Sequence, residues 1–213
     1  MSNKKKEANL LGEDTIVYKS GNGLYINLTN RCPCDCDFCV RKGQDGINGG
    51  ESLWLSKEPA YDDVVGSIGG VNLRDYSEAV FCGFGEPTEG LDVLLRTAEY
   101  IKQKRPDMPT RLNTNGLSDL INGKKTAKKL AVNIDAVSIS LNAPDKDGYD
   151  AVCHPVFGEK SFGAMLDFAA DCKKYFKDVC FTVVDVIGEE KIAECQKLCD
   201  EMGIRLRVRT SIS

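Results

Sequence analysis

From residue 15 onward, short runs of β-branched and aliphatic residues alternate with longer segments whose apolar positions recur every three or four residues. Such alternation reads as strands separated by helices. Thr15–Tyr18 and Leu24–Leu28 flank Gly21-Asn22-Gly23, a hairpin signal. Further strands are expected at Glu78–Cys82, Thr110–Asn113, Ala136–Leu141, Val179–Val186 and Ile204–Val208. The first helix is expected at Pro59–Ile68, with Ser56 as its candidate cap and Pro59 in its first turn. In the next, Leu91–Lys104, the residues Leu91, Leu94, Leu95, Ala98 and Ile101 make one apolar stripe. A short helix at Lys124–Ala131 follows, then one capped by Ser161 and running to Tyr175, then Glu189–Met202, stopped by Gly203. Residues Arg31–Leu53 read as a long loop. The connection after Ala136–Leu141, about eighteen residues, exceeds most loops and is a candidate functional segment.

Counted from Leu24, this makes six strands separated by five helices, an α/β chain with a parallel sheet. The pattern fits either a doubly wound open sheet or a barrel cut from eight units to six, and both react at the carboxyl ends of the strands. With 213 residues, 42% of them apolar, a single domain over residues 1–213 is expected, residues 1–14 forming a flexible segment. Met1–Asn9 is Lys-rich but lacks the apolar run of a signal peptide, and no stretch has the roughly eighteen apolar residues of a membrane span. Lys and Arg number 28 against 32 Asp and Glu, which leaves no electrostatic case for nucleic acid as a partner. A soluble cytoplasmic protein with no membrane partner is the expectation.

Ten cysteines alter this picture. A secreted disulfide framework suits neither the length nor the N-terminus. Cys32, Cys34, Cys36 and Cys39 crowd into one short loop, while Cys82, Cys153, Cys172, Cys180, Cys195 and Cys199 are scattered and read mostly as small buried hydrophobes. Two metal readings stay open. Four thiolates could hold a structural zinc, giving a non-enzymatic metalloprotein. Alternatively, Cys32-x3-Cys36-x2-Cys39 could grip one face of an iron–sulfur cube, with its fourth iron open and Cys34 spare.

The three-cysteine spacing, with the aromatic Phe38 before the last cysteine and the motif set after a first strand, resembles the radical S-adenosylmethionine (SAM) superfamily. Gly83-Phe84-Gly85-Glu86-Pro87 after the second strand resembles that family's Gly-Gly-Glu motif, whose backbone cradles the methionyl amino group; Phe84 stands where glycine is commoner. Asn113-Thr114-Asn115-Gly116 resembles its Asn-Gly turn, and Ser140 with Asn142 falls where the ribose is expected. The resemblance implies a partial (β/α)6 TIM-like barrel, a 4Fe-4S cluster on Cys32, Cys36 and Cys39, and SAM held by Phe38, Gly83, Gly85, Glu86, Asn113, Asn115, Ser140 and Asn142. It implies reductive cleavage of SAM and hydrogen abstraction from a small molecule, with an electron donor of flavodoxin or ferredoxin type. The chain is similar, more narrowly, to the small TatD-associated type, through Tyr25 to Cys32, Leu141-Asn142-Ala143-Pro144, and Cys153, Pro155, Phe157 and Gly158. That likeness implies a queuine lyase of queuosine salvage, releasing 7-aminomethyl-7-deazaguanine. A glycyl-radical activating enzyme is the other enzymatic alternative.

Side chains alternate along strands, so Tyr25 with Asn27, Arg111 with Asn113, and Ser138 with Ser140 should share one face with Arg207 and Arg209. Tyr25, Asn27 and Arg209 are candidate substrate contacts. The arginines could equally be a solvated edge. His154, the lone histidine, is a candidate proton donor, and Asp185 a second catalytic candidate. Glu86, Asp185 and Asn27 are the acceptors a deazaguanine edge would require. Lys4–Lys6, Lys124-Lys125, Lys128-Lys129 and Lys173-Lys174 read as solvated faces or a patch for an acidic electron donor.

Overall fold

The computed structural model describes residues 14–46 and 51–211. Of the expected flexible segment, all but Asp14 lies outside the described residues. Seven strands form one sheet in the order of the chain: β1 (Val17–Ser20), β2 (Gly23–Ile26), β3 (Glu78–Phe81), β4 (Thr110–Thr114), β5 (Ala136–Ser140), β6 (Asp178–Val184) and β7 (Arg205–Arg209). The expected hairpin closes between Ser20 and Gly23, with Gly21 at φ +57°, and pairs β1 with β2 antiparallel. All later pairs are parallel. A doubly wound sheet reverses its strand order; this one never does. Right-handed crossovers that always step the same way put every helix on one side, which decides for a partial TIM-like barrel, not closed between β1 and β7.

The helices are α1 (Tyr61–Gly69), α2 (Leu91–Lys104), α3 (Ser118–Asn122), α4 (Ala127–Leu130), α5 (Lys146–Cys153), α6 (Lys160–Tyr175) and α7 (Glu189–Met202). Four details differ from the sequence reading. Ser56 does not cap α1: it bonds to Asp14, and the Ala60 amide is met by Asp63 instead. The helix expected at Lys124–Ala131 is the shorter α4, and an unexpected short helix, α3, precedes it and ends at Gly123, φ +62°. The expected loop after β5 contains α5, started by Asp145, whose carboxylate accepts from the Gly148 amide at 2.8 Å. Ser161 lies buried inside α6, whose cap is Glu159.

The sheet's helix-facing side supplies Leu24, Ile26, Ala79, Phe81, Leu112, Val137, Ile139, Phe181 and Val183 to one core, against Leu94, Ala98, Ile101, Met165 and Phe168. Cys172, Cys195 and Cys199 are buried in that core, as expected of small hydrophobes. Strand register puts the alternate residues on the concave side. One row there runs Tyr25, Val80, Arg111, Ala136, Asp178; nearer the carboxyl ends come Asn113, Ser138, Cys180 and Arg205, then Ser140, Thr182 and Arg207, then Val184 and Arg209. Among the described residues no helix is long and apolar enough to cross a membrane.

Candidate active site

The cysteine loop leaves the carboxyl end of β2 under firm constraint. Asn30 exchanges two hydrogen bonds with Leu55, giving Nδ2 to its carbonyl at 2.7 Å and accepting from its amide at 3.1 Å. Arg31 forks onto Glu58 at 2.7 and 2.8 Å and reaches Glu89 at 3.1 Å. Farther along, the loop pairs by its backbone with the end of α5. The Asp35 amide donates to the Cys153 carbonyl at 3.0 Å, the Asp37 amide to Val152 at 3.0 Å, and the Val156 amide to Pro33 at 2.8 Å. His154 ends α5 in a left-handed conformation, φ +44°, with Nε2 2.9 Å from Asp37 Oδ1. The structure thus brings His154 beside the cysteine loop, exposed and hydrogen-bonded to Asp37.

All the loop's thiols are free; Cys32, Cys36 and Cys39 are half-buried and Cys34 is buried. Cys153, scattered in sequence, is buried next to them. Hydrogen bonds from the Cys153 and Cys34 thiols pull the Cys36 pKa down, with Arg41 adding to the effect. A hydrogen bond from Cys34 pulls Cys32 down likewise. Cys34 and Cys153, as the donors, are pushed up, and burial pushes Cys39 up. Among the described residues no three such side chains converge as tightly as a single ion requires. The donor set does suit an iron–sulfur cluster: of four free thiols on one loop, Cys32 and Cys36 have their pKa lowered by hydrogen bonds from neighbouring thiols.

The loops after β3 and β4 press against this one. A Cβ on Gly83 would sit 2.0 Å from Asn27 Oδ1, and one on Gly85 2.3 Å from the Thr29 carbonyl oxygen, so both positions admit only glycine without movement. Glu86 is buried, and its carboxylate accepts from the Thr88 amide and hydroxyl, the Thr114 hydroxyl at 2.8 Å and the Asn115 amide at 2.7 Å. Burial pushes its pKa up against those donors. The carboxylate therefore ties the β3 and β4 ends together. Asn113 accepts from Arg111 at 2.9 Å, while Asn115 aims its amide at the sulfurs of Cys32 and Cys34, 3.8 and 3.9 Å away. Asn27 is fully buried, its amide donating to the Thr15 and Leu53 carbonyls. Tyr25 stands on the concave face against Tyr18, ring centres 5.3 Å apart.

Beyond β5, Asn142 takes the uncommon φ of +61° and donates to the Cys153 sulfur at 3.5 Å. Its Oδ1 is buried without a partner among the described residues. Asn142 and Phe38 line a cavity of about 490 Å³ together with Ala143, Val186 and Ile187. Ser140 is half-buried on the concave face, in register with Thr182. Asp185, past the end of β6, is exposed and accepts from the Ser211 amide at 2.9 Å. Arg209 faces the concave side from β7. Two contributors escaped the sequence reading: Cys153 as a neighbour of the loop thiols, and Trp54, whose ring meets Phe84 edge-on at 5.2 Å. Only their distant contacts identify them.

Comparison with known proteins bears on this arrangement. The family model of the radical SAM superfamily matches residues 26–202. The FeMo cofactor biosynthesis protein NifB of Klebsiella pneumoniae is 25% identical over 134 residues, 58% of this chain and 26% of NifB. Among solved structures, Streptococcus suis SuiB bound to the precursor peptide SuiA shares the fold with a TM-score of 0.67 at 21% identity, over 98% of this chain and 42% of SuiB. A radical SAM methyltransferase from Sphaerobacter thermophilus gives 0.59 at 14% identity, over 92% of this chain and 69% of that one. The chain thus spans about a quarter of NifB and under half of SuiB.

Proposed function

The chain belongs to the radical SAM superfamily, whose members use a 4Fe-4S cluster and SAM, and from that premise we propose that it cleaves SAM reductively and abstracts hydrogen from a small molecule. One observation carries the reading: a loop of four free thiols leaves the first parallel strand, is fastened to the end of α5, and sets Asp37 and Phe38 against an open cavity at the carboxyl ends of the strands. Cys32, Cys36 and Cys39 would hold the cluster. When bound, that cluster would supply the electron that splits SAM into methionine and a 5′-deoxyadenosyl radical.

The chain's own part is position and exclusion. Backbone pairing with residues 152–156 fixes the loop, and Glu86 fixes the two neighbouring loops against it. The cavity beside Phe38 offers apolar walls in Val186 and Ile187 for a nucleoside, with the unpaired Asn142 oxygen as acceptor. Tyr25, Ser140 and Arg209 face the concave side, where a substrate would meet the radical. His154 and Asp185, both exposed, are the candidate proton-transfer groups.

A one-electron donor of flavodoxin or ferredoxin type would reduce the cluster. The substrate reading of a queuine lyase rests on the sequence likeness to the small TatD-associated type and is the first to assay. Protein reconstituted with iron and sulfide under anaerobic conditions is incubated with SAM, dithionite and queuine. The proposal expects 5′-deoxyadenosine from the unaltered chain and none from Cys36→Ala; release of 7-aminomethyl-7-deazaguanine would assign the substrate. Cluster-loaded protein that forms no 5′-deoxyadenosine would refute the enzymatic reading.

A further inference from the structure

We propose that Arg207 and Arg209 form an anion-binding pair on the concave face of the sheet, and that the substrate carries a compact anionic oxygen group, a carboxylate or a phosphate. The inference rests on the radical SAM reading for the concave face as the side where substrate meets the radical, and on the sheet for its chemistry.

Register sets both side chains on the concave face: Arg207 lies beside Thr182 and Arg209 beside Val184. Two residues apart on one strand, they stand roughly 6.6 Å from each other, a span one carboxylate or phosphate can bridge. The other arginines on this face are already neutralised. Arg111 pairs with Glu78 at 2.6 Å and Arg205 with Asp178 at 2.7 Å, both at the amino ends of the strands. At the carboxyl ends the acids are committed elsewhere, Glu86 to Thr88, Thr114 and the Asn115 amide, and Asp185 to the Ser211 amide. Among the described residues neither Arg207 nor Arg209 lies within ion-pair distance of a carboxylate, although the Arg207 charge reaches Asp178, which is already paired with Arg205.

This leaves two like charges side by side at the reacting end of a concave surface. Solvent reaches Arg209, yet protein surrounds it on enough sides that burial and the Arg207 charge push its pKa down. The groups within its electrostatic reach include Cys82, Cys36 and Tyr25, just past β3, on the cysteine loop and on β2. Strand register turns both arginines to the concave side of the sheet, the side that also carries Tyr25, Ser138 and Ser140. An arriving anion would relieve the repulsion between the two guanidiniums and be held by both. Queuine as the free base has no such group, so the inference favours a different substrate.

The test is equilibrium dialysis of reconstituted protein, with SAM present in chloride buffer, against radiolabelled inorganic phosphate, with acetate as competitor. Expected is one saturable site per chain, displaced by acetate, weakened about tenfold or more in Arg207→Met and in Arg209→Met, partly kept in Arg209→Lys, and untouched in Arg96→Met on the helix side. SAM affinity is measured alongside and should hold in every variant, which also reports that they fold. Phosphate binding that ignores both substitutions would overturn the inference. So would SAM affinity falling in parallel with phosphate, which would assign the arginines to the SAM carboxylate, or queuine turnover at the unaltered rate in Arg209→Met. If phosphate binds as expected while no 5′-deoxyadenosine forms, the radical SAM reading fails and the anion site stands.

Discussion

Gly85→Ala probes how the loops are locked together. The new Cβ would lie 2.3 Å from the Thr29 carbonyl oxygen and 2.6 Å from that of Arg31, both backbone atoms that cannot swing aside. Restoring van der Waals contact requires the β3 loop and the start of the cysteine loop to part by roughly 1 Å, since nonbonded carbon settles near 3.5 Å. That movement breaks the 2.8 Å bond from the Glu86 amide to the Arg31 carbonyl. The lost hydrogen bond costs about 1 kcal/mol and the overpacking about 1–3 kcal/mol, so the variant should lose about 2–4 kcal/mol. Urea unfolding of the metal-free protein under reducing conditions measures this from the shift in midpoint at constant slope. Gly163→Ala is the control: it sits in α6 with nothing within 4 Å of a new Cβ, and should gain about 0.5–1 kcal/mol from helix propensity. Gly85→Ala should also take up less iron on reconstitution. A Gly85→Ala midpoint within about 0.5 kcal/mol of the unaltered protein would refute the packing argument.

Three further outcomes follow from the same contacts. Burial would raise the Asp135 pKa, but Lys102, the Thr110 amide and Lys177 outweigh it and hold it at about 2, below the usual 3.8. Stability from this group is therefore complete above about pH 4 and lost as pH falls toward about 2, worth about 2 kcal/mol; Asp135→Asn should remove that acid dependence in urea midpoints compared across the window. Glu86→Gln sets an amide NH2 among four donors and should cost about 2–3 kcal/mol by the same measurement, whereas a cost near zero would deny the carboxylate its tying role. Iron content after anaerobic reconstitution should survive Cys34→Ala and collapse in Cys32→Ala, Cys36→Ala and Cys39→Ala; equal loss in all four would favour a four-thiolate site.

The strands were legible to within a residue or two because β-branched runs bounded by turn residues carry their own signal. Glu78–Cys82 became Glu78–Phe81 and Ile204–Val208 became Arg205–Arg209. Barrel against doubly wound sheet was not legible from periodicity, since only pairing order separates them. Helix α5 escaped because a glycine, Gly148, lies within it and its buried residues are just Tyr149 and Cys153, too few for a stripe. The cysteine loop was visible in one short stretch, whereas its neighbours come from the end of helix α5 (Cys153) and from the segments after β5 (Asn142) and β4 (Asn115). Asn27 shows the limit of alternation: it lies one residue past β2, and its amide is committed to the Thr15 and Leu53 carbonyls.

The central claim is a cluster held by three cysteines with one iron open to SAM. Electron paramagnetic resonance of the dithionite-reduced, reconstituted protein tests it most directly, recorded with and without SAM. The account expects the cluster signal to change on SAM addition in the unaltered chain and equally in Cys34→Ala. A reduced cluster signal that SAM leaves unchanged, and that Cys34→Ala makes sensitive to SAM, would mean a fourth thiolate closes the site and would contradict it.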